Sequence, residues 1–319
     1  MNVVALAGGV GGAKLAFGLD RALVDAGQLT VVVNTADDLE LHGLHVSPDL
    51  DTVMYTLAGL ADRERGWGLA GETWHALKTL KRYGAETWFQ LGDRDLATHV
   101  RRTARLAEGA PLGVVTGELA SALGVHATLL PMSDDRVRTR VRTDAGWLDF
   151  QEWFVRRRQV DPLTEITFEG IETSRPAPGV RDAIASASLA VICPSNPLVS
   201  VGPILSVPGI REALLGAPAP VVAISPIVAG RALRGPADRM LAWLGAEVSA
   251  AGVAQLYAER HPTLLGGFVI DRQDEALAGR IEALGLRVLV ADTVMESDDE
   301  RVALGRTVLE WGQSLPRRA

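Results

Sequence analysis

Four glycines fall within five positions near the start of the chain, in Gly8-Gly9-Val10-Gly11-Gly12-Ala13-Lys14. Glycine lets a backbone come within hydrogen-bonding distance of a ligand, and exposed N–H groups at a helix start attract phosphate. Lys14, one of only three lysines, would add a mobile cation for phosphate oxygens. The run is out of register with Gly-x-Gly-x-x-Gly and lacks the Gly-Lys-Ser/Thr ending of a P-loop. It therefore points to phosphate without naming a nucleotide. The plainer alternative is a tight strand–helix turn with no ligand.

Acidic residues supply the other chemistry. Asn34-Thr35-Ala36-Asp37-Asp38 follows an apolar run, where an acidic side chain either holds a ribose hydroxyl or caps a helix. Ser47-Pro48-Asp49-Leu50-Asp51-Thr52 reads as a turn and helix start. Asp49 suffices as the cap, which leaves Asp51 free; Asp49, Asp51 and Thr52 together also offer oxygen ligands for a hard cation. In Leu91-Gly92-Asp93-Arg94-Asp95, two carboxylates flank an arginine, and His99 lies four residues past Asp95. A capped helix with i,i+4 pairs explains Asp95 and His99 but not the crowding of charge at its start. Hydroxyl and amide donors recur beside prolines, in Pro194-Ser195-Asn196-Pro197 and Ser225-Pro226-Ile227. Arg234-Gly235-Pro236 opens another helix able to receive phosphate.

These groups need a scaffold. Val3 to Ala7 suits a buried parallel strand, and Leu15, Leu19, Ala22 and Leu23 recur on one helix face. Further strands are expected at 29–33, 127–130, 189–193, 220–224, 268–271 and 287–290. Helices are expected at 53–60, 237–244, 275–284 and 299–311. Such alternation predicts an α/β fold: a Rossmann-like, doubly wound, mainly parallel sheet. Its strand ends would gather the glycine loop, Asn34 and the hydroxyl turns at one edge. Between about 131 and 175 the pattern changes. Val137, Thr139 and Val141 alternate with arginines, and Asp144-Ala145-Gly146 turns into Trp147-Leu148-Asp149-Phe150. This predicts an inserted, hairpin-containing α+β subdomain covering the site within a single domain, 1–319. The run Arg156-Arg157-Arg158 reads as a solvated face. Trp67, Trp74, Tyr83, Trp88 and Phe89 are expected mostly in the core, with a platform for a planar ring as the alternative.

Composition narrows the classes. The chain has 319 residues, 47% hydrophobic and 5% aromatic, with a formal net charge of −7. That charge argues against a general nucleic-acid binder. A single cysteine, Cys193, excludes a disulfide framework and a multi-cysteine zinc site, and fits a cytoplasmic protein. Met1-Asn2 begins no basic leader. The longest uncharged run, 183–210, contains four prolines and is not expected to span a membrane.

The glycine loop, the Asn34, Ser47 and Leu91 motifs (the last closed by Thr98-His99), Pro131-Met132-Ser133-Asp134-Asp135 and the two hydroxyl turns, seven motifs in order, resemble the 2-phospho-L-lactate transferase family of deazaflavin coenzyme F-420 biosynthesis. The resemblance spans about positions 2 to 311. It implies transfer of a phospholactyl or phosphoenolpyruvyl group from a guanosine-diphosphate-linked donor to the ribityl hydroxyl of the deazaflavin Fo, with GMP leaving. It also implies a magnesium requirement and a homodimer, with no nucleic-acid or membrane partner. Under it, Gly8, Gly9, Gly11, Gly12 and Lys14 hold the diphosphate, and Asn34, Ser195, Asn196, Ser225 and Gly235 surround the nucleotide. Asp51 and Asp93 are the catalytic candidates, and Asp49, Asp51, Asp93 and Asp95 the magnesium ligands. Asp51, Trp88, Gln90, Ser133 and Asp134 face the deazaflavin; Gln90 stands where the family is often basic. Two competing classes share the glycine loop. A nicotinamide-dependent dehydrogenase leaves the acidic clusters unexplained. A non-catalytic nucleotide-binding regulator would be expected to lack the paired acidic motifs.

Overall fold

The structure, a computed structural model, describes residues 1–317; positions 318–319 of the expected domain lie outside the described residues. Seven strands form one sheet: β1 (Asn2–Ala7), β2 (Gln28–Val33), β3 (Thr128–Pro131), β4 (Leu189–Ile192), β5 (Val221–Ile224), β6 (Gly267–Asp271) and β7 (Arg287–Ala291). Their spatial order is β7-β6-β5-β4-β1-β2-β3, and every neighbouring pair is parallel. Parallel strands must be covered on both faces, so their sequences are apolar throughout rather than alternating. In β1, Val4 and Leu6 enter one core with Val32, Ile192 and Phe268. Val3, Ala5 and Ala7 enter the opposite core with Leu15, Val31 and Val308.

Helix α1 (Gly9–Ala22) leaves the end of β1 directly and packs on that second face beside the C-terminal helix, Asp298–Ser314. Their closeness depends on small residues. A Cβ on Gly18 would run into the backbone of Arg301, and one on Gly305 into the backbone of Gly18. Helix α2 (Pro48–Leu57) starts five residues earlier than the apolar pattern suggested, because Pro48 occupies its first turn. Ser47, not Asp49, is the cap residue, and both Asp49 and Asp51 fall in the first turn. The expected helix at 275–284 is a 3-10 turn, Arg272–Leu277, followed by a short α-helix, Ala278–Glu282.

The insertion is a three-stranded antiparallel sheet with Arg138–Thr143 between Gly146–Asp149 and Leu163–Glu169. Along its central strand Thr139, Val141 and Thr143 are buried, as is Val137 just before it. Val141, Leu148, Trp153 and Leu163 join the same core as Val4 and Leu6, and Trp153 meets Trp243 edge-on at 6.0 Å. The insertion is thus welded to the main sheet by shared packing. Among the described residues, no helix is long and apolar enough to cross a membrane.

Candidate active site

In the sheet order, β1 is flanked by β2 on one side and β4 on the other, so the chain reverses direction of travel between β1 and β4. Ligands of open α/β sheets bind in the crevice at such a switch point. Here it opens into a cavity of about 760 Å³. Gly8, Gly9 and Gly11 from the end of β1 line it, with Pro194, Ser195 and Asn196 from the end of β4 and Ser225 from the end of β5. Gly235 and Lys14 also face it.

The glycines divide their labour. A Cβ on Gly11 would enter the carbonyl oxygen of Pro194, and one on Gly12 the Ser195 hydroxyl, so these two let the strands' ends approach. Gly12 does not line the cavity. Gly9 adopts φ +61°, and a Cβ there would meet only Asp49 Oδ1, at an ordinary 3.9 Å, which makes it the glycine of conformation rather than packing. Among the described residues no side chain caps α1, while the Gly8 N–H donates to Ser195 Oγ at 3.0 Å. Lys14 Nζ donates to the Met295 carbonyl at 2.5 Å. Burial, then the neighbouring Arg301 and Arg234, lower its pKa.

Two acidic clusters face this loop. In the first, Asn34 is wholly buried and its amide donates to Asp37 Oδ2 (3.1 Å), Asp49 Oδ2 (2.9 Å) and the Val199 carbonyl (3.2 Å). Asn34 therefore serves the carboxylates and is not presented to a nucleotide, contrary to expectation. Asp37 and Asp49 both line the cavity. Burial raises the Asp49 carboxyl to about 6 against the donated bonds of Asn34 and the Gly9 N–H. Burial and then the charge of Asp49 push Asp37 well up, and Asp37 Oδ1 is buried without a partner among the described residues. No helix starts at Asp37 or Asp38, so neither is a cap; Asp38 accepts from His45 Nε2 (2.9 Å) and Ser47 Oγ (2.7 Å).

The second cluster joins α2 to α4 (Asp93–Ala107). Both Asp51 oxygens are bonded by the Arg102 guanidinium, and Arg102 and His99 are each only 1% exposed. Burial opposes the Arg102 charge, but Asp51 outweighs it and raises the guanidinium's pKa. His99 Nε2 lies 3.3 Å from Asp95 Oδ1, which accepts from Tyr55 Oη at 2.7 Å. Asp95 Oδ2 accepts no hydrogen bond from the described residues, while Asp51, Asp95 and His99 all line the cavity. Asp51 is thus not the free carboxylate that an Asp49 cap was expected to leave. His99 and Arg102 complete the site beyond the predicted residues; the spacing Asp95, His99, Arg102, on one helix face, was its signal.

Asp93 stands apart. Its carboxylate accepts from Thr73 Oγ1 (2.5 Å), His75 N (2.9 Å) and Ala76 N (2.9 Å), capping α3 (His75–Arg82), and it does not line the cavity. Those three donors hold its pKa down at about 2. Ser133 and Asp134 are also turned away from the cavity: Ser133 Oγ donates to the Arg175 carbonyl at 2.6 Å, and Asp134 accepts from Gly113 N at 2.7 Å. Trp88 and Gln90 do line it, as do Phe89, Phe150 and Phe154. The tryptophan segment is not core: Trp67 is 37% and Tyr83 81% exposed. Arg65 lies near both Trp67 and Trp74 at the rim, 5.3 and 5.0 Å from their ring centres, while the two rings meet edge-on. Arg156 and Arg158, read as solvated, also reach the cavity wall.

Either acidic cluster offers ligands to a divalent cation. Ligand atoms of Asp51, Asp95 and His99 lie within 4.8 Å of one another, but Arg102 already balances Asp51. Asp37 and Asp49 carry two carboxylates without a cationic partner among the described residues, one with an orphaned oxygen, beside the glycine loop. Magnesium favours one or two carboxylates together with phosphate oxygens, so Asp37 and Asp49 fit it better than the expected set of Asp49, Asp51, Asp93 and Asp95.

Fold and site together define a Rossmann-like α/β protein with its working cavity at the sheet's switch point. The family described as "2-phospho-L-lactate transferase CofD" matches residues 3–308, and the chain belongs to that transferase family, as its motifs indicated. It is 46% identical over 99% of both chains to a phosphoenolpyruvate transferase of Kitasatospora aureofaciens. To the phosphoenolpyruvate transferase of Mycobacterium ulcerans it is 43% identical, covering 92% of this chain and 94% of that one. A solved protein from Bacillus halodurans, described as a member of the upf0052 family, shares the fold at a TM-score of 0.66 and 15% identity, covering 97% and 98% of the two chains.

Proposed function

We propose that this protein transfers a phosphoenolpyruvyl group from a guanosine-diphosphate-linked donor to the ribityl hydroxyl of the deazaflavin Fo, releasing GMP. The observation that carries this reading is one cavity walled on one side by a glycine loop and on the other by aromatic rings and buried carboxylates. The names of the relatives support enolpyruvyl over lactyl.

In this scheme the opening amides of α1 and Lys14 receive the diphosphate. Trp88, Phe89, Phe150 and Phe154 enclose the flat acceptor, which aromatic faces bind well. The hydroxyl oxygen attacks the phosphorus carrying the three-carbon acid. A new phosphorus–oxygen bond forms as the bond from that phosphorus to the GMP oxygen breaks. Asp95, whose Oδ2 is free, takes the hydroxyl proton. Asp51 and Arg102, locked together, brace the helix pair that aims it. Phosphoryl transfer needs positioning and charge neutralisation above all; magnesium held by Asp37 and Asp49 would supply part of that neutralisation. A magnesium role and a homodimer remain parts of the proposal.

The test is mass spectrometry of products from Fo incubated with each guanylylated acid and magnesium. The expected result is an enolpyruvyl phosphodiester of Fo with an equal amount of GMP. Product from the lactyl donor alone would reverse the choice of acid, and no product from either would overturn the assignment.

A further inference from the structure

Behind the glycine loop lies a second cavity, of about 340 Å³, between α1, the end of α2 and the C-terminal helix. Among the described residues, five cationic side chains line it: Lys14, Arg21, Arg63, Arg234 and Arg301. Two carboxylates oppose them, and both are already engaged. Asp62 is held by Arg65 at 2.7 Å, outside this cavity. Asp298 is shared between Arg63 (2.6 Å) and Arg301 (3.0 Å). Lys14, Arg21 and Arg234 have no carboxylate partner among the described residues; Lys14 and Arg234 donate only to the carbonyls of Met295 and Glu64. Glu296 and Glu300 act on Lys14 from outside the cavity.

Two of the cations, Lys14 and Arg301, are also partly withdrawn from water. Arg301 is 7% exposed, stands over the Phe17 ring at 5.6 Å, and has its Nε buried without a partner. Arg21 approaches the same ring at 5.1 Å. Burying arginine with an unmet donor is costly unless a ligand meets it. Such a concentration of positive charge in a chain of net charge −7 is a local feature rather than a general property of the surface. The guanidinium fork suits the paired oxygens of a phosphate.

We propose that this cavity is a second anion site, separate from the diphosphate position, that takes a phosphate group, either free or on a small molecule. Lys14, Arg234 and Val10 line both cavities. An anion in the second cavity therefore draws on the Lys14 charge that the glycine loop also uses. Occupancy of either site weakens the other, by the same factor in each direction.

Calorimetric titration with inorganic phosphate tests this, on the free protein and again with GDP saturating. Arg21→Gln/Arg63→Gln is the variant, since both residues are exposed, neither lines the first cavity, and Arg301 still pairs with Asp298. The expected result is phosphate binding that survives saturating GDP at reduced affinity and falls about tenfold or more in the variant. Phosphate binding abolished by GDP, undiminished in the folded variant, or absent altogether would each overturn the proposal. A parallel titration with free phosphoenolpyruvate separates the two sources of the group. Tighter binding than phosphate, lost in the variant, points to a phosphorylated metabolite; equal binding points to phosphate itself; both support the site. Should GDP not bind, the reading of the glycine loop fails, while wild type against variant without GDP still decides the second cavity.

Discussion

Asp51 shows how far a residue's role depends on its neighbours. The buried bond to Arg102 means that Asp51→Asn leaves a guanidinium uncompensated in the interior. Breaking such a pair from one side costs about 3–5 kcal/mol. Urea unfolding of Asp51→Asn should show a loss of that order, and the double variant Asp51→Asn/Arg102→Met should recover most of it. A near wild-type midpoint in the single variant would mean the pair contributes little. Asp49 carries a different signature. Its folded-state pKa, about 6, stands above the ordinary carboxyl value of 3.8. Between those values the folded chain keeps a proton that the unfolded chain has released. The group's stabilising contribution is therefore full below about pH 4 and lost as pH rises through about 6. Denaturation midpoints measured from pH 4.5 to 7.5 without metal should fall more steeply for wild type than for Asp49→Asn. Parallel curves would show that the carboxylate is not strained by its site.

At the scale of elements, a pair of reciprocal caps joins α3 to α4. Asp93, at the start of α4, caps α3, while Glu72, just before α3, accepts from the first-turn amides of Arg94 (3.0 Å) and Asp95 (2.8 Å). Helix α3 has no buried residue, so these polar bonds do most of what holds it in place. The loop between the two helices carries Trp88, Phe89 and Gln90 to the cavity. Asp93→Asn should therefore speed hydrogen exchange at the amides of 75–83 while leaving β1 and β2 protected. In turnover assays it should raise KM for the acceptor more than it lowers kcat, since the change reaches the chemistry only through the aromatic wall. A selective loss of kcat would instead return Asp93 to the catalytic candidates.

For the whole molecule, the insertion's place in the core predicts cooperative unfolding. Trp153 is fully buried and packs with Phe150 and Trp243. Truncation of such a residue costs about 3–5 kcal/mol through lost burial and the cavity left behind. Trp153→Ala should lower the midpoint of a single transition seen by both circular dichroism and tryptophan fluorescence. A separate early transition, with the main sheet unaffected, would show that the insertion folds on its own.

Much of this architecture was legible in the chain because its signals are local. Apolar runs of strand length, the glycines after Ala7 and the prolines after Cys193 and Ser225 mark where strands end and turns begin. These features, read with the order of the acidic motifs, determined the doubly wound fold and the family. They also put the glycine loop and the β4 and β5 turns at one edge, since parallel strands share a carboxyl end. Which carboxylate does what was a matter of tertiary structure. Asp93 and Asp95 are two residues apart, yet helical geometry turns one to a neighbouring helix cap and the other to the cavity. Asp51 meets Arg102 across 51 positions, and Asn34 meets Val199 across 165. The second cavity likewise gathers Arg21, Arg63, Arg234 and Arg301 from four distant segments. Partners so far apart leave no periodic trace in the sequence, because only packing of the helices on the sheet brings them within reach of one another.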